Sequence, residues 1–388
     1  MIRDPDLLEQ LIDTVSRFVR QRLVPLESQV AENDDIPDTV IEEMKDLGLF
    51  GMTIPEEYGG LGLTMEEEVM VAFQLGGTSP AFRSVLGTNN GIGSAAIVFD
   101  GTDDQKSRYL PRYASGEIIG SFCLTEPDVG SDSARVKTTA VRDGDAYILN
   151  GTKRFITNAP KAGTFTVMAR SNPNEEGARG VSAFIVDAMS EGIELGKHDR
   201  KMGQQGSLTC DVVFNQVRVP AENLIGGKEG QGFITAMKVL DRGRIHIAAV
   251  SVGVAERLIE DALQFAMQRK QFGKAIAAHQ LIQAMLADSK TEAYAARCMV
   301  LDAARRKDAG AEVNTEAACC KLFATEMVGR VADRAVQIHG GYGYMAEYAV
   351  ERFYRDVRLF RLYEGTSQIQ QLIIARNMIR EQSQQHDQ

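Results

Sequence analysis

The spacing of apolar residues changes twice along this chain, and that change limits the folds it can adopt. Near the N-terminus, Leu8, Leu11, Ile12 and Val15 recur every three or four positions, which indicates an amphipathic helix. In the middle third, short runs rich in β-branched and aromatic residues take over, as at 165–168 and 212–219. Helical spacing then returns and continues to the end of the chain. This order predicts an α+β protein.

A chain of 388 residues is too long for one ordinary core, so we expect several domains. We place an N-terminal α-helical domain at 1–120, a middle β domain of barrel or sandwich type at 121–228, and a C-terminal four-helix bundle at 229–388. A glycine-rich segment at 226–232 marks the second joint. The turn dipeptides Asp143-Gly144 and Asn150-Gly151 indicate hairpins in the β domain. The polar stretch 382–388 is expected to be disordered.

Charge and cysteine content exclude several functional classes. The formal net charge of -10 argues against a general nucleic-acid or anionic membrane surface. Five cysteines lack the paired spacing of a zinc site or disulfide framework, so we expect a reducing compartment and no metal. No run approaches the roughly 18 apolar residues of a membrane helix. The first helix is too acidic for a secretory signal or transit peptide, and we expect a cytoplasmic protein.

The segment 362–370 places one carboxylate, Glu364, immediately before an apolar helix. Gly365 permits a tight turn, and Thr366 or Ser367 is available to cap the helix. Such a turn is suited to present a buried general base. The same residues also describe a solvated glutamate before a capped helix, and the segment alone favours that second interpretation because short motifs often match by chance.

Two segments of the β domain have the chemistry to bind a flat heterocycle or a phosphate. In segment 122–132, Pro127 ends a strand, and Gly130 and Ser131 offer backbone donors and a hydroxyl. An ordinary loop is the alternative there. In segment 155–158, the ring of Phe155 can stack and the hydroxyl of Thr157 can donate a hydrogen bond.

The last domain contains further polar groups at helix ends. A cationic cluster at 269–274 follows a long helix, and the helix dipole explains its charge but not the neighbouring Gln280. Gly340 and Gly341 allow close approach of a ligand but lack the strand-turn-helix context of a dinucleotide fingerprint. Walker, HExxH and GxSxG sequences are absent, so P-loop hydrolysis, zinc catalysis and serine hydrolysis lose support.

Together, five segments in order resemble the acyl-CoA dehydrogenase family, from segment 55–60 to the helix after Glu364. The resemblance spans nearly the whole chain. It implies an FAD enzyme that forms a homo-oligomer, usually a dimer of dimers, and α,β-desaturates an acyl-CoA. Glu364 would remove the α-proton while the β-hydrogen leaves as hydride to the flavin, and an electron-transferring flavoprotein would accept the electrons. Some members carry the base at the position of Gly243, which leaves Glu364 as the catalytic residue here.

The same resemblance implies which residues bind FAD and substrate. Residues at 122–157 would face the flavin ring, and those at 269–341 would hold the pyrophosphate and adenosine of a neighbouring subunit's FAD. The backbone amide of Glu364 and an FAD ribityl hydroxyl would polarise the thioester carbonyl. The implied FAD contacts are Phe122, Leu124, Thr125, Ser131, Phe155, Ile156, Thr157, Arg269, Phe272, Gln280, Gln337, Ile338, Gly340, Gly341, Thr366 and Gln368. The implied substrate contacts are Arg83, Ser131, Asp241, Arg244 and Gly365.

Arg83 bears on the nature of the acyl chain. Its setting in segment 81–86 is similar to the Tyr-Arg-Ser setting in which glutaryl-CoA dehydrogenases bind a distal carboxylate, with Phe82 in place of the tyrosine. A surface arginine without a ligand is the alternative. We therefore expect a short acyl-CoA. A glutaryl- or succinyl-type substrate with an acidic tail, processed by decarboxylation or elimination, stays open, as do an oxygen-using oxidase and a non-catalytic helical scaffold.

Overall fold

The computed structural model describes residues 1–386, with the side chains of residues 1–384. Seven α-helices precede the sheet, and two begin with capping boxes that satisfy their first amide groups. In one of these, Thr64 Oγ1 accepts a hydrogen bond from the Glu67 amide, and the Glu67 carboxylate accepts one from the Thr64 amide. The helices are α1 (Pro5–Phe18), α2 (Glu27–Asn33), α3 (Asp38–Asp46), α4 (Met65–Leu75), α5 (Pro80–Gly87), α6 (Ala95–Asp100) and α7 (Asp103–Ala114).

The middle of the chain folds into one seven-stranded sheet. Its strand order is β1-β4-β2-β3-β7-β6, with β5 paired to β4. Strands β1 and β4 run parallel, whereas β2–β3 and β3–β7 are antiparallel. The predicted hairpin at Asp143-Gly144 is present, because Asp143 pairs with Ala146 across the turn. The strands are β1 (Gly120–Cys123), β2 (Thr139–Asp143), β3 (Ala146–Thr157), β4 (Thr164–Arg170), β5 (Val181–Asp187), β6 (Ile193–Leu195) and β7 (Thr209–Pro220).

The predicted hairpin at Asn150-Gly151 is wrong, because both residues lie inside the long strand β3. The register between β3 and β7 shifts at this point. Because of this shift, the backbone N–H of Gln216 has no partner in the strand pairing. It donates instead to Asn150 Oδ1 at 2.8 Å. A Cβ atom on Gly151 would lie 2.4 Å from Thr138 Oγ1. Gly151 therefore allows the segment at Thr138 to pack closely against β3, and it does not form a turn.

The C-terminal part is again helical, and the predicted α+β class with the order helices, sheet, helices is confirmed. Helix α12 reaches His386, so the expectation of disorder from residue 382 is wrong as far as 386; residues 387–388 lie outside the described part. Arginine, glutamate and glutamine at 380–382 are good helix formers, which explains the extension. The remaining elements are α8 (Gly232–Gln268), β8 (Lys270–Gln271), β9 (Lys274–Ala275), α9 (Gln280–Asp308), α10 (Asn314–His339), α11 (Ala349–Asp356) and α12 (Ser367–His386).

The N-terminal and C-terminal helices share a core. Met65, Val69 and Phe73 of α4 are buried in the same cluster as the apolar faces of α8, α9 and α10. A buried carboxylate also connects the N-terminal and C-terminal helices: Glu27 accepts hydrogen bonds from Arg352 (2.7 Å) and from the Thr78 hydroxyl (2.8 Å). Because its charge is paired, this buried group links α2 to α11. Residues 243–246 of α8 lie beside both α5 and the turn before α12.

No helix in residues 1–386 is long and apolar enough to cross a membrane.

Substitution of Gly253 tests the close packing of α8 on α4. A Cβ atom on Gly253 would lie 2.2 Å from the carbonyl oxygen of Phe73, so Gly253→Ala should lower the free energy of unfolding by about 1–3 kcal/mol. Gly329 also lies inside a helix, but its Cβ would meet Arg361 at an ordinary 3.7 Å. Gly329→Ala should therefore leave stability unchanged or raise it by up to about 1 kcal/mol. Equal melting temperatures for the two variants in thermal denaturation would contradict this packing.

Candidate functional site

Glu364 lies in a strained turn between α11 and α12. Its φ is +52° and that of Gly365 is +91°, so two successive residues adopt the left-handed region. This region is unfavourable for a residue with a Cβ, and such strain persists only when the surroundings hold it. The residue is partly accessible, but its Oε2 atom is buried and makes no hydrogen bond within the described residues. Oε2 is therefore an unpaired carboxylate oxygen, not a solvated one.

Four charged groups act on this carboxylate. Burial raises the pKa of Glu364 above its ordinary value. The positive charges of Arg83, Lys321 and Arg244 oppose that rise in pKa, and the negative charge of Glu68 adds to it. Desolvation outweighs three nearby cations, so the carboxylate binds a proton more readily than one in water.

Gly243 makes room for the carboxylate of Glu364. A Cβ atom on Gly243 would lie 2.1 Å from Glu364 Oε2, well inside van der Waals contact. One turn of α8 therefore approaches the carboxylate of Glu364 only because this residue has no side chain. The same helix carries Asp241 and Arg244, which form an ion pair. These two implied substrate contacts lie on either side of Gly243 along the chain. Arg244 is buried, and its Nε has no hydrogen-bond partner among the described residues. Burial raises the pKa of Asp241.

Arg83 is buried, with only 5% of its surface exposed, so the surface alternative is wrong. Its Nε donates to His246 Nε2 at 2.9 Å, and His246 Nδ1 contacts Glu68 Oε1 at 2.7 Å. This arrangement requires a neutral His246 that donates from Nδ1, and burial lowers the pKa of that histidine accordingly. A Cβ on Gly87 would lie 2.5 Å from Arg83 Cζ, so this glycine leaves space for the guanidinium.

Glu68 ends this buried chain of polar groups. Burial pushes its pKa up, but Arg242 at 2.6 Å and His246 outweigh that effect and lower the pKa of Glu68 to about 2. Arg242 therefore balances most of the negative charge of Glu68. Within residues 1–384, the hydrogen bonds of Arg83 involve Nε alone, which leaves both terminal NH₂ groups available to a ligand. Neither His246 nor Glu68 was predicted from the sequence.

The two segments predicted to face a flat ring lie together in the sheet domain. The Arg154 amide donates to the Thr125 carbonyl at 2.8 Å, and Ser121 Oγ donates to the Thr157 carbonyl, also at 2.8 Å. Phe155 is 57% exposed with a φ of +58°, and the Arg154 guanidinium lies 4.9 Å from its ring centroid. An exposed aromatic ring held in this way suits stacking against a planar ligand.

A buried ion pair supports the loop after β1. Lys153 is fully buried and donates to Glu126 at 2.8 Å and to the Leu124 carbonyl at 3.2 Å. Glu126 also accepts hydrogen bonds from the amides of Lys137 and Thr138. The pair thereby fixes the carbonyl next to Thr125. Ser131, in contrast, is exposed at the tip of this loop.

A cavity of about 540 Å³ lies at the opposite end of α8. Four of the predicted cofactor residues line it: Arg269, Ile338, Gly340 and Gly341. A Cβ built on either glycine would meet no atom within 4 Å, so backbone groups are open to a ligand, as a phosphate-bearing group requires. The predicted residues Phe272, Gln280 and Gln337 lie outside its lining and are exposed, with Phe272 at 92% on the β8–β9 turn.

The start of α12 carries the last two predicted cofactor residues. Thr366 Oγ1 accepts a hydrogen bond from the Ile369 amide at 3.3 Å, so Thr366 caps the helix as expected. Gln368 is exposed. Lys321 of α10 was not predicted, although it is fully buried and donates to the Gly365 carbonyl at 2.6 Å. A lysine in register with the apolar positions Ala317, Ala324 and Val328 is the signal that sequence reasoning missed.

Comparison with known proteins gives a consistent family match. The N-terminal, middle and C-terminal domain models of acyl-CoA dehydrogenase match residues 5–117, 121–217 and 230–379. The caffeyl-CoA reductase-Etf complex subunit CarC of Acetobacterium woodii is 41% identical, over 89% of this chain and 91% of its own. Butyryl-CoA dehydrogenase from Megasphaera elsdenii superposes with a TM-score of 0.94 at 34% identity, covering 98% of this chain and 100% of its own. The structure of a glutaryl-CoA dehydrogenase–glutaryl-CoA complex superposes with a TM-score of 0.92 at 33% identity. The match covers 98% of this chain and 96% of that chain.

Gly243→Ala tests the steric relation between α8 and Glu364. The added methyl group should displace the flexible Glu364 side chain while leaving the fold intact. We expect the rate at which an acyl-CoA bleaches the bound flavin to fall roughly 100-fold, because small misplacements of a reacting group are that costly. FAD content and melting temperature should stay near those of the parent, and Gly329→Ala serves as the matched control. An unchanged bleaching rate would show that Glu364 Oε2 does not need this space.

Proposed function

Because the chain belongs to the acyl-CoA dehydrogenase family, we propose that it desaturates a short acyl-CoA thioester between Cα and Cβ, with Glu364 as the general base. Members of this family are FAD-dependent oxidoreductases that act on acyl-CoA. One observation carries the proposal: the unpaired, buried Oε2 of Glu364 beside Gly243. A non-catalytic scaffold has no need for a carboxylate in such a costly environment.

The α-proton of a thioester is weakly acidic, so the base must hold protons well at neutral pH. A carboxylate with an ordinary pKa of about 4.3 is poorly matched to this task. Burial already raises the pKa of Glu364, and exclusion of water by a bound acyl chain acts in the same direction. Glu364 takes the proton onto its carboxylate. Its backbone amide is proposed to donate to the thioester carbonyl, which stabilises the developing negative charge.

Bound FAD would supply the acceptor for the hydride that leaves Cβ. Thr125 and Phe155 are proposed to hold its ring system, and Arg269, Gly340 and Gly341 its pyrophosphate and adenosine across a subunit contact. Phe272, on the β8–β9 turn next to the cavity, is 92% exposed, which is consistent with a contact to a partner subunit there. We therefore propose a homo-oligomer, a tetramer by family resemblance. The CarC relative is a subunit of a caffeyl-CoA reductase-Etf complex, which supports an electron-transferring flavoprotein as acceptor here.

Replacing Glu364 by glutamine tests the base directly. Glu364→Gln keeps the size of the side chain but cannot accept a proton, so FAD content should be unchanged. Bleaching of the flavin by butyryl-CoA under anaerobic conditions should slow by about 10²–10⁴-fold. The matched control is Glu312→Gln, at an exposed position. Bleaching at the parent rate in Glu364→Gln would refute this assignment.

A second candidate substrate, an acyl-CoA with an acidic tail, is favoured by Arg83. The two NH₂ groups of the buried Arg83 make no hydrogen bond within residues 1–384, so a carboxylate on the substrate could pair with this cation. The neutral ring of His246 supplies no charge to balance it. A glutaryl-type thioester fits this chemistry, and its desaturation would be followed by loss of the tail as CO₂.

Arg83→Met separates the two candidates. If Arg83 binds a tail carboxylate, kcat/KM for glutaryl-CoA should fall by roughly 10- to 100-fold, the size expected for a lost charged hydrogen bond. kcat/KM for butyryl-CoA should change much less. Arg179→Met, at an exposed arginine, is the control. Equal kcat/KM values for butyryl-CoA and glutaryl-CoA in the parent, both insensitive to Arg83→Met, would exclude the acidic tail.

A further inference from the structure

Lys321 is a fully buried lysine in the middle of α10, and the residue it contacts follows the base directly. Its Nζ donates to the Gly365 carbonyl at 2.6 Å. We propose that Lys321 is a positioning residue for the reaction: its buried ammonium clamps the left-handed turn that carries Glu364. This inference rests on the proposed role of Glu364 as general base.

The turn needs such a clamp because its backbone is strained. Glu364 has a Cβ but adopts a φ of +52°, and Gly365 continues the left-handed path at +91°. An isolated chain would relax Glu364 to a negative φ and turn its side chain away. The direction of the carboxylate therefore depends on contacts that fix the carbonyl groups of this turn.

Two buried donors fix those carbonyls. Lys321 Nζ and Gln370 Nε2, the latter at 3.0 Å, both donate to the Gly365 carbonyl. Gln370 Nε2 also donates to the Glu364 carbonyl at 3.3 Å. A Cβ on Gly365 would lie 2.6 Å from Gln370 Nε2, so only glycine admits this arrangement. The hydrogen bond from Lys321 is charge-assisted and thus the stronger of the two that meet at Gly365.

Helix α10 also holds the residues on either side of the turn. Glu326 accepts hydrogen bonds from Ser367 Oγ at 2.6 Å and from Arg361 Nη1 at 3.1 Å. The chain from Arg361 to Ser367 is thus tied to one helix at its two ends and, through Lys321, in its middle. A neutral donor would complete the hydrogen bond as well, so the costly burial of an ammonium calls for a further reason.

That reason is the effect of its charge on Glu364. The charge of Lys321 opposes the rise in the pKa of Glu364 that burial causes, together with Arg83 and Arg244 and against Glu68. Burial in turn lowers the pKa of Lys321 to about 8; Glu364 and Glu326 raise the pKa of this ammonium, and Arg244 lowers it. Below about pH 8 the ammonium is charged, so the clamp is strong and the ionised form of Glu364 is favoured over what burial alone would allow. Above it, the ammonium loses its proton and the base loses a stabilising charge.

Three variants test this role: Lys321→Met removes donor and charge, Lys321→Arg keeps both, and Lys290→Met is a control at an exposed helical lysine. In Lys321→Met, we expect parent FAD content and flavin bleaching by butyryl-CoA slowed roughly 10- to 100-fold. The acid limb of the pH–rate profile should move to higher pH, and the alkaline limb should disappear. Lys321→Arg should restore part of the rate. Amide hydrogen exchange at 362–370 should be faster in Lys321→Met than in the parent, which reports the clamp without turnover.

Two results would overturn the proposal. One is a Lys321→Met variant with the parent rate, pH profile and amide exchange. The other is loss of FAD and of cooperative unfolding in both Lys321 variants, which would assign the lysine to folding alone. Failure of the proposed function has a separate signature: the parent itself would not bleach with butyryl-CoA or glutaryl-CoA, while faster exchange at 362–370 in Lys321→Met would still support the clamp.

Discussion

The site depends on one carboxylate oxygen, Glu364 Oε2, that is buried without a hydrogen bond from any described residue. Three separate parts of the chain create its environment. Helix α8 comes within reach only because position 243 is glycine, α10 supplies the ammonium that holds the following carbonyl, and α5 supplies the buried Arg83. An unpaired carboxylate is unstable in a folded core, so such an arrangement persists where it serves chemistry.

The charges around the site divide into two groups with different tasks. Arg242 takes up the charge of Glu68, and the neutral His246 links Glu68 to Arg83. Lys321 and Arg244, together with Arg83, oppose the rise in the pKa of Glu364. Desolvation of Glu364 outweighs these cations, which leaves the carboxylate more basic than usual while its ionised form is still supported. Within residues 1–384 the two NH₂ groups of Arg83 have no hydrogen-bond partner, and this is the feature that bears most on the proposed substrate.

Local patterns predict the fold order and the turn that carries Glu364, because both depend on short segments, whereas the role of Glu364 as base is implied only by the family resemblance. The spacing of apolar residues marks the helices, and the glycine and hydroxyl residues after Glu364 mark a turn and a cap. The partners of the base are not local. Lys321 contacts Gly365 across 44 positions, Arg83 contacts His246 across 163, and His246 contacts Glu68 across 178. The Asn150-Gly151 error has the same origin, because the close approach of Thr138 that requires the glycine is invisible in the dipeptide.

The central claim is that Glu364 is a desolvated base, and titration of its carboxyl group tests it most directly. Infrared difference spectra of the FAD-loaded protein, recorded against pH, should contain a carboxyl band that is lost in Glu364→Gln. This band should titrate with a midpoint above about 4.3, the ordinary value for glutamate. A midpoint at or below that value would contradict the account, because it would mean that the surrounding cations, not burial, determine the protonation of Glu364.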